Sequence, residues 1–193
     1  MTTLPSSFSI DNVIARIDLA VTASDHDAIC QQIKTALQEA TRDGRLTLDE
    51  AMVTPVEDGY GRHLLHRDPE DRYTVVVMCW GPGQGTPIHD HAGMWCVECV
   101  VQGKIRVDSY RLIEEPGGDR VRFEKEADVI AGVGEAGALI PPFEYHVIEN
   151  PFDEVAVTMH VYGGEMEFCH IFRPEEEGSD CYRRETKGLS YTA

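Results

Sequence analysis

Basic residues are scarce in this chain. Seventeen lysines and arginines face 34 aspartates and glutamates, a formal net charge of −17 over 193 residues. A surface with that excess repels phosphate backbones and anionic lipid, so neither nucleic acid nor a membrane is an expected partner. An anionic ligand would need a local cation to overcome the field. Long apolar runs are missing too: none approaches the roughly 20 residues that span a bilayer. The opening stretch MTTLPSSFSIDN has no basic segment followed by an apolar one, so a cytoplasmic location is the expectation. Repeats and low-complexity tracts are also absent, which argues against solenoids and other repeat arrays.

What remains is ordinary globular composition, 42% hydrophobic and 26% charged, in a length that suits one domain or one domain with an appended subdomain. The six cysteines are Cys30, Cys79, Cys96, Cys99, Cys169 and Cys181. Without an export signal, free thiols are expected rather than disulfides.

Two grammars divide the chain. Residues 11–42 carry apolar positions at helical spacing: Val13, Ile14, Ile17, then Ile29, Cys30, Ile33, Leu37 and Ala40. Asp11 and Ser24 are the expected N-caps, Gly44 the expected stop, and a short helix is expected at Thr47–Met52. From about Val53, segments rich in Val, Ile, Tyr and Phe alternate with Gly, Pro and Asp clusters: YTVVVMCW, WCVECVVQGKIRVDSYRLI, EVAVTMHVYG and FCHIFRP, with EEPGGD (114–119) as a hairpin turn. This predicts a mainly β fold, a sandwich or barrel over residues 53–193, with a helical segment over 1–52 packed on it. The tail from Pro174 reads as an ordered edge or a frayed end.

The polar stretch GQGTPIHDHAGMWC interrupts this β grammar. Side chains two apart on a strand share a face, so His89 and His91 can reach one metal while Asp90 turns away. The bland alternative is a hydrogen-bonded turn. Context favours the metal. Gly83 precedes His89 by six residues, Gly103 follows His91 by twelve, and PPFEYHVIEN places His146 four before Asn150. This pattern resembles the two motifs of the cupin family, which implies a small jelly-roll barrel with His89, His91 and His146 converging inside. Two departures stand out. Cys96 occupies the place of the usual ligating glutamate, and Phe143 that of a turn glycine. The first leaves three neutral imidazoles, a site that keeps its metal's full charge and favours a substrate bringing its own anion, such as a thiolate. Cys96 as a fourth ligand, closing a zinc-like site, is the structural alternative.

Further stretches are similar to the thiol dioxygenases, and among these to the cysteine dioxygenases: CWGPGQGTPIHDH, the cysteine five after His91, AVTMHVYGG and the later FCH. The resemblance runs from about Tyr60 to Phe172. It implies Fe(II) on the three histidines and a small thiol and O2 as substrates. Arg62, in Gly59-Tyr60-Gly61-Arg62, would hold the substrate carboxylate through its planar fork, with Tyr60 behind it. It implies Tyr162 beside the metal, oriented by His160, so Tyr162, His160 and Arg62 are the expected catalytic residues, with Thr158 and Cys169 supporting them. Period-two alternation puts Thr158, His160 and Tyr162 on one face. In some relatives a cysteine at the position of Cys96 is joined to the matching tyrosine, so a Cys96–Tyr162 thioether is a further expectation. The implied reaction is L-cysteine to cysteine sulfinic acid. The alternatives are another thiol acid, 3-mercaptopropionate or mercaptosuccinate, or a non-catalytic metal-binding cupin. Cys96-Val97-Glu98-Cys99 spells C-x-x-C within a strand pattern and is set aside as a redox motif. His63 and His66 lack ligand spacing.

Overall fold

A computed structural model describes residues 9–42 and 46–192; the expected helix stop at Gly44 lies outside them. Helix α1 spans Ile10–Ala20 and α2 His26–Thr41. Both caps fall one or two residues earlier or later than expected. Ser9, in extended conformation, accepts the Asn12 N–H at 3.3 Å, leaving Asp11 in the first turn beside the positive helix end. Asp25 caps α2 by accepting the Ala28 N–H at 2.8 Å, and Ser24 merely donates to that carboxylate. A carboxylate is the stronger acceptor, which decides between neighbours. Helix α3 is a single turn, Glu50–Val53.

Eleven strands follow among the described residues: β1 Gly61–Arg67, β2 Thr74–Trp80, β3 Ile88–His89, β4 Cys96–Gln102, β5 Lys104–Gly117, β6 Arg120–Gly132, β7 Ala136–Leu139, β8 His146–Glu149, β9 Ala156–Tyr162, β10 Phe168–Pro174 and β11 Cys181–Gly188. One sheet runs β1-β2-β9-β4-β7; the other closes on itself as β10-β11-β6-β5-β8-β3. The fold is thus mainly β, a small jelly-roll barrel with N-terminal helices. The polar tail is an ordered strand: β11 pairs with β10 along its length and with β6 at its start, and so helps close the ring. Between β4 and β5 the chain reverses at Gly103, whose φ of +70° suits glycine; a Cβ there would lie 2.6 Å from the Val155 carbonyl oxygen.

The central sheet is buried on both faces. Val13, Ile17, Ile33 and Leu37 from the helices pack with Val75, Val77, Val97, Met159 and Val161 on one side. On the other, Val76, Met78, Trp80, Cys96, Val100 and Tyr162 face the barrel interior. Strand β9 therefore alternates between helix core and barrel lumen, which sends Thr158, His160 and Tyr162 inward together. The helix–sheet contact contributes much of the core. Leu37, 0% exposed, tests it: Leu37→Ala should lower unfolding stability by about 2–5 kcal/mol, read from the denaturant midpoint at unchanged m-value.

Candidate active site

Register delivers the histidines. His89 on β3 is paired directly with His146 on β8, and His91 follows two residues later. Asp90 is turned away as expected. Its carboxylate accepts the His170 N–H at 2.8 Å and meets His170 Nδ1 at 2.7 Å, pinning the segment to β10. The chain then reverses through Ala92 and Gly93, both at positive φ. The ligand atoms of His89, His91 and His146 all lie within 4.8 Å of one another. His89 Nδ1 faces the Pro87 carbonyl at 3.2 Å and His146 Nδ1 the Glu144 carbonyl at 2.9 Å. A carbonyl only accepts, so each Nδ1 carries its proton and each Nε2 is left as a free donor to metal. Burial, then the neighbouring imidazoles, hold His89 and His91 far below the usual histidine value, so they are neutral. Three bare imidazole donors in one buried cluster fit a first-row divalent metal.

Asn150 is structural. Fully buried, it donates to the Trp80 and Glu154 carbonyls at 3.0 and 2.8 Å and ties β8 to β2. Phe143, the second departure from the cupin motif, is 76% exposed and its φ lies outside the left-handed region, so its turn does not need glycine.

The row on β9 is hydrogen-bonded. The Trp80 indole N–H donates to Thr158 Oγ1 at 2.9 Å, and Thr158 lies 2.7 Å from His160 Nε2. Because indole can only donate, the Thr158 hydroxyl is satisfied by giving its own proton to Nε2. His160 then carries its proton on Nδ1, which faces Cys96 Sγ at 4.0 Å and Glu98 Oε2 at 3.6 Å. His160 meets Tyr162 ring over ring, 5.9 Å apart and 15° from parallel, and Tyr162 in turn approaches His91 at 5.8 Å. Burial first, then His146 and Arg62, lower His160 to about 3.

Cys96 is the direct cross-strand partner of Tyr162, so their side chains share the inner face. Burial first, then Glu98, raises the Cys96 thiol far above its ordinary value, while a hydrogen bond with Tyr162 works the other way. Cys96 is not part of the convergent metal group. Sequence reasoning missed Glu98, two residues on and hence on the same face. It is buried, with Oε2 at 3.8 Å from His146 Nε2 and no hydrogen-bond partner. Burial raises its pKa, partly offset by His146. His160 is neutral, so its contact with Glu98 is not an ion pair. The expectation of a site without a nearby carboxylate is corrected to this extent: the three-histidine cluster has none, but a buried one borders it. Strand parity was the signal that could have found it.

One cavity gathers Tyr60, Arg62, Trp80, His89, His160, Tyr162, Met166, Cys169 and Lys187. Arg62 is 4% exposed. Its Nη2 donates to the Met166 carbonyl at 3.0 Å, its Cζ lies 4.5 Å from the Tyr191 ring centroid, and its buried Nε has no partner. Thr192 fastens its backbone, accepting the Arg62 N–H at 2.8 Å and donating its own N–H to the Arg62 carbonyl at 2.7 Å. The Tyr191 hydroxyl donates to Glu165 at 2.6 Å. Tyr60 stacks on Trp80 at 4.6 Å. Burial pushes Cys169 up to about 11. His63 and His66 sit on β1; His66 stacks on Tyr73.

A small closed β barrel with three histidines converging inside it is a cupin-type fold whose histidine group could hold a metal. Within that class the match is more specific: the profile described as Cysteine dioxygenase type I covers residues 49–175, more than half of the chain. The chain belongs to that family. It is 25% identical over 114 residues to Cysteine dioxygenase type 1 of Homo sapiens and 26% over 121 residues to that of Danio rerio. Each match covers 58% of this chain and 55% of the relative, so the chain spans about half the length of these relatives. Among solved structures, a conserved protein with a double-stranded beta-helix domain from Klebsiella pneumoniae has TM-score 0.46 at 19% identity, covering 63% of this chain and 92% of that one. A Cupin 2 barrel protein from Salinispora arenicola has TM-score 0.42 at 19% identity, covering 60% and 84%. No described helix is long and apolar enough to cross a membrane.

The buried neutral His160 sets a pH dependence. Its folded value, about 3, lies below the ordinary 6.5. The unfolded chain therefore takes up a proton that the native state refuses, and stability falls as pH drops below about 6.5 toward 3. The urea midpoint of the metal-free protein should decline over that window. His160→Asn, which cannot titrate there, should decline less steeply.

Proposed function

We propose that the protein is an iron-dependent thiol dioxygenase that converts L-cysteine and O2 to cysteine sulfinic acid. The observation that carries this reading is the meeting of His89, one of three convergent buried histidines, and the buried, carboxylate-free Arg62 in the wall of one cavity. Membership of the cysteine dioxygenase type I family supports it.

His89, His91 and His146 would hold Fe(II). When bound there, iron would supply a Lewis-acidic, redox-active centre at which a thiolate and dioxygen can react. The reaction adds both oxygen atoms to sulfur; sulfur supplies every electron that dioxygen accepts, so no outside reductant is required. Arg62, with an unused Nε and a guanidinium held from behind, grips the carboxylate. Tyr60, braced on Trp80, limits how far the substrate can shift. Tyr162 offers a neutral hydroxyl close to the histidines, since burial raises its pKa well above the usual range. The chain Trp80–Thr158–His160 fixes the imidazole against which the Tyr162 ring lies. Cys96 and Tyr162 are the pair to form a thioether, with one hydrogen lost from the thiol and one from the ring to an oxidant such as O2. A cupin closed by Cys96 as fourth ligand has less support, because its thiol is held neutral and faces His160.

Three measurements test the reading. Iron-loaded protein should consume O2 with L-cysteine and release the sulfinate, and His146→Ala should fall to the background rate; equal rates would sink the assignment. Arg62→Gln should reduce kcat/KM for L-cysteine about 10–100-fold, the loss expected for a charge-assisted hydrogen bond, with a much smaller effect on cysteamine, which lacks a carboxylate. Mature protein should weigh less than its sequence by two hydrogen atoms, a deficit that Cys96→Ser removes.

A further inference from the structure

In this acidic protein nearly every cation of the barrel is neutralised. Among the described residues beyond 60, Arg67, Arg72, Arg106, Arg111, Arg120, Arg122, Arg173, Arg183, Arg184 and Lys125 each have a carboxylate within 4.0 Å. Three do not: Arg62, Lys104 and Lys187. Two of those three, Arg62 and Lys187, line the same cavity. They also line the vestibule outside it, whose one acidic residue is Asp58.

Strand pairing explains how Lys187 gets there. On β11 it is the register partner of Cys169 on β10, and Cys169 is in the cavity wall. The Lys187 charge is felt at the Cys169 thiol, as is that of Arg62. Lys187 Nζ lies 5.8 Å from the ring centroid of Tyr60, which lines the cavity with Arg62. Arg62 is buried, whereas Lys187 is exposed. The two cations therefore sit at different depths along one path: Arg62 in the wall, Lys187 at the mouth.

We propose that Lys187 is a second anion-holding residue of this pocket, and that beside L-cysteine the site accepts a small thiol bearing two carboxylates, one on Arg62 and the other on Lys187. This rests on the dioxygenase reading above and adds a second thiol class to it. A dianion meets the largest repulsion from a protein of charge −17, so it needs two local cations where a monoanion needs one. An amino acid, whose one carboxylate is held on Arg62, gains no such benefit. An unpaired lysine at the mouth is what the first kind of substrate requires and the second does not.

The experiment compares iron-loaded wild type, Lys187→Gln and Lys187→Arg with mercaptosuccinate and 3-mercaptopropionate, thiol acids that differ by one carboxylate. The ratio of their kcat/KM values should fall about tenfold in Lys187→Gln, as for loss of one charge-assisted contact, and recover in Lys187→Arg, which keeps the charge. An unchanged ratio overturns the proposal. A second arm needs neither metal nor turnover: calorimetry with succinate and butyrate on the metal-free protein. Wild type should favour succinate and Lys187→Gln should lose that preference; no preference in wild type overturns the second anion site. If no thiol drives oxygen uptake in any variant, the dioxygenase reading falls, and the succinate arm alone decides the role of Lys187.

Discussion

Period-two alternation along β9 is the constraint on which the rest depends. One strand must satisfy two environments whose demands are opposite. Val157, Met159 and Val161 seal the sheet against the helices, and Thr158, His160 and Tyr162 form the polar row of the lumen. A slip of one residue would exchange the two sets and leave polar groups unpaired in the helix core. Packing against α1 and α2 therefore holds the chemistry in register, although neither helix touches the cavity.

The lumen is polar yet largely uncharged. His89, His91 and His160 are kept unprotonated, Tyr162 and Cys96 are kept protonated, and the Glu98 carboxyl is shifted upward, burial being the leading cause for each. Arg62 is then a conspicuous positive charge in the cavity wall, without a carboxylate of the protein to cancel it. A carboxylate arriving there would offset that charge with few competing charges.

Much of this was legible in the sequence, but unevenly. The histidine set carried spacing that few other patterns share, and pairing of His89 with His146 turned that spacing into proximity. The strand grammar and the β9 row were readable because alternation is a local property. Glu98 was readable in principle, from its parity with Cys96, but its approach to His146 depends on how β4 packs across the lumen toward β8. The helix caps moved to Ser9 and Asp25 because neighbouring residues compete for the same N–H groups. Lys187 gave no local signal; its place beside Cys169 arises from pairing of β11 with β10, and the polar composition of the tail concealed a strand.

The clasp formed by Tyr191 and Thr192 has a consequence for affinity. A long, flexible guanidinium side chain ordinarily surrenders rotamer freedom when it seizes a ligand, and that entropy is subtracted from binding. Here the ring of Tyr191, the Met166 carbonyl and the backbone bonds to Thr192 have already immobilised Arg62. The loss is incurred when the chain folds, so an arriving carboxylate meets a rigid fork.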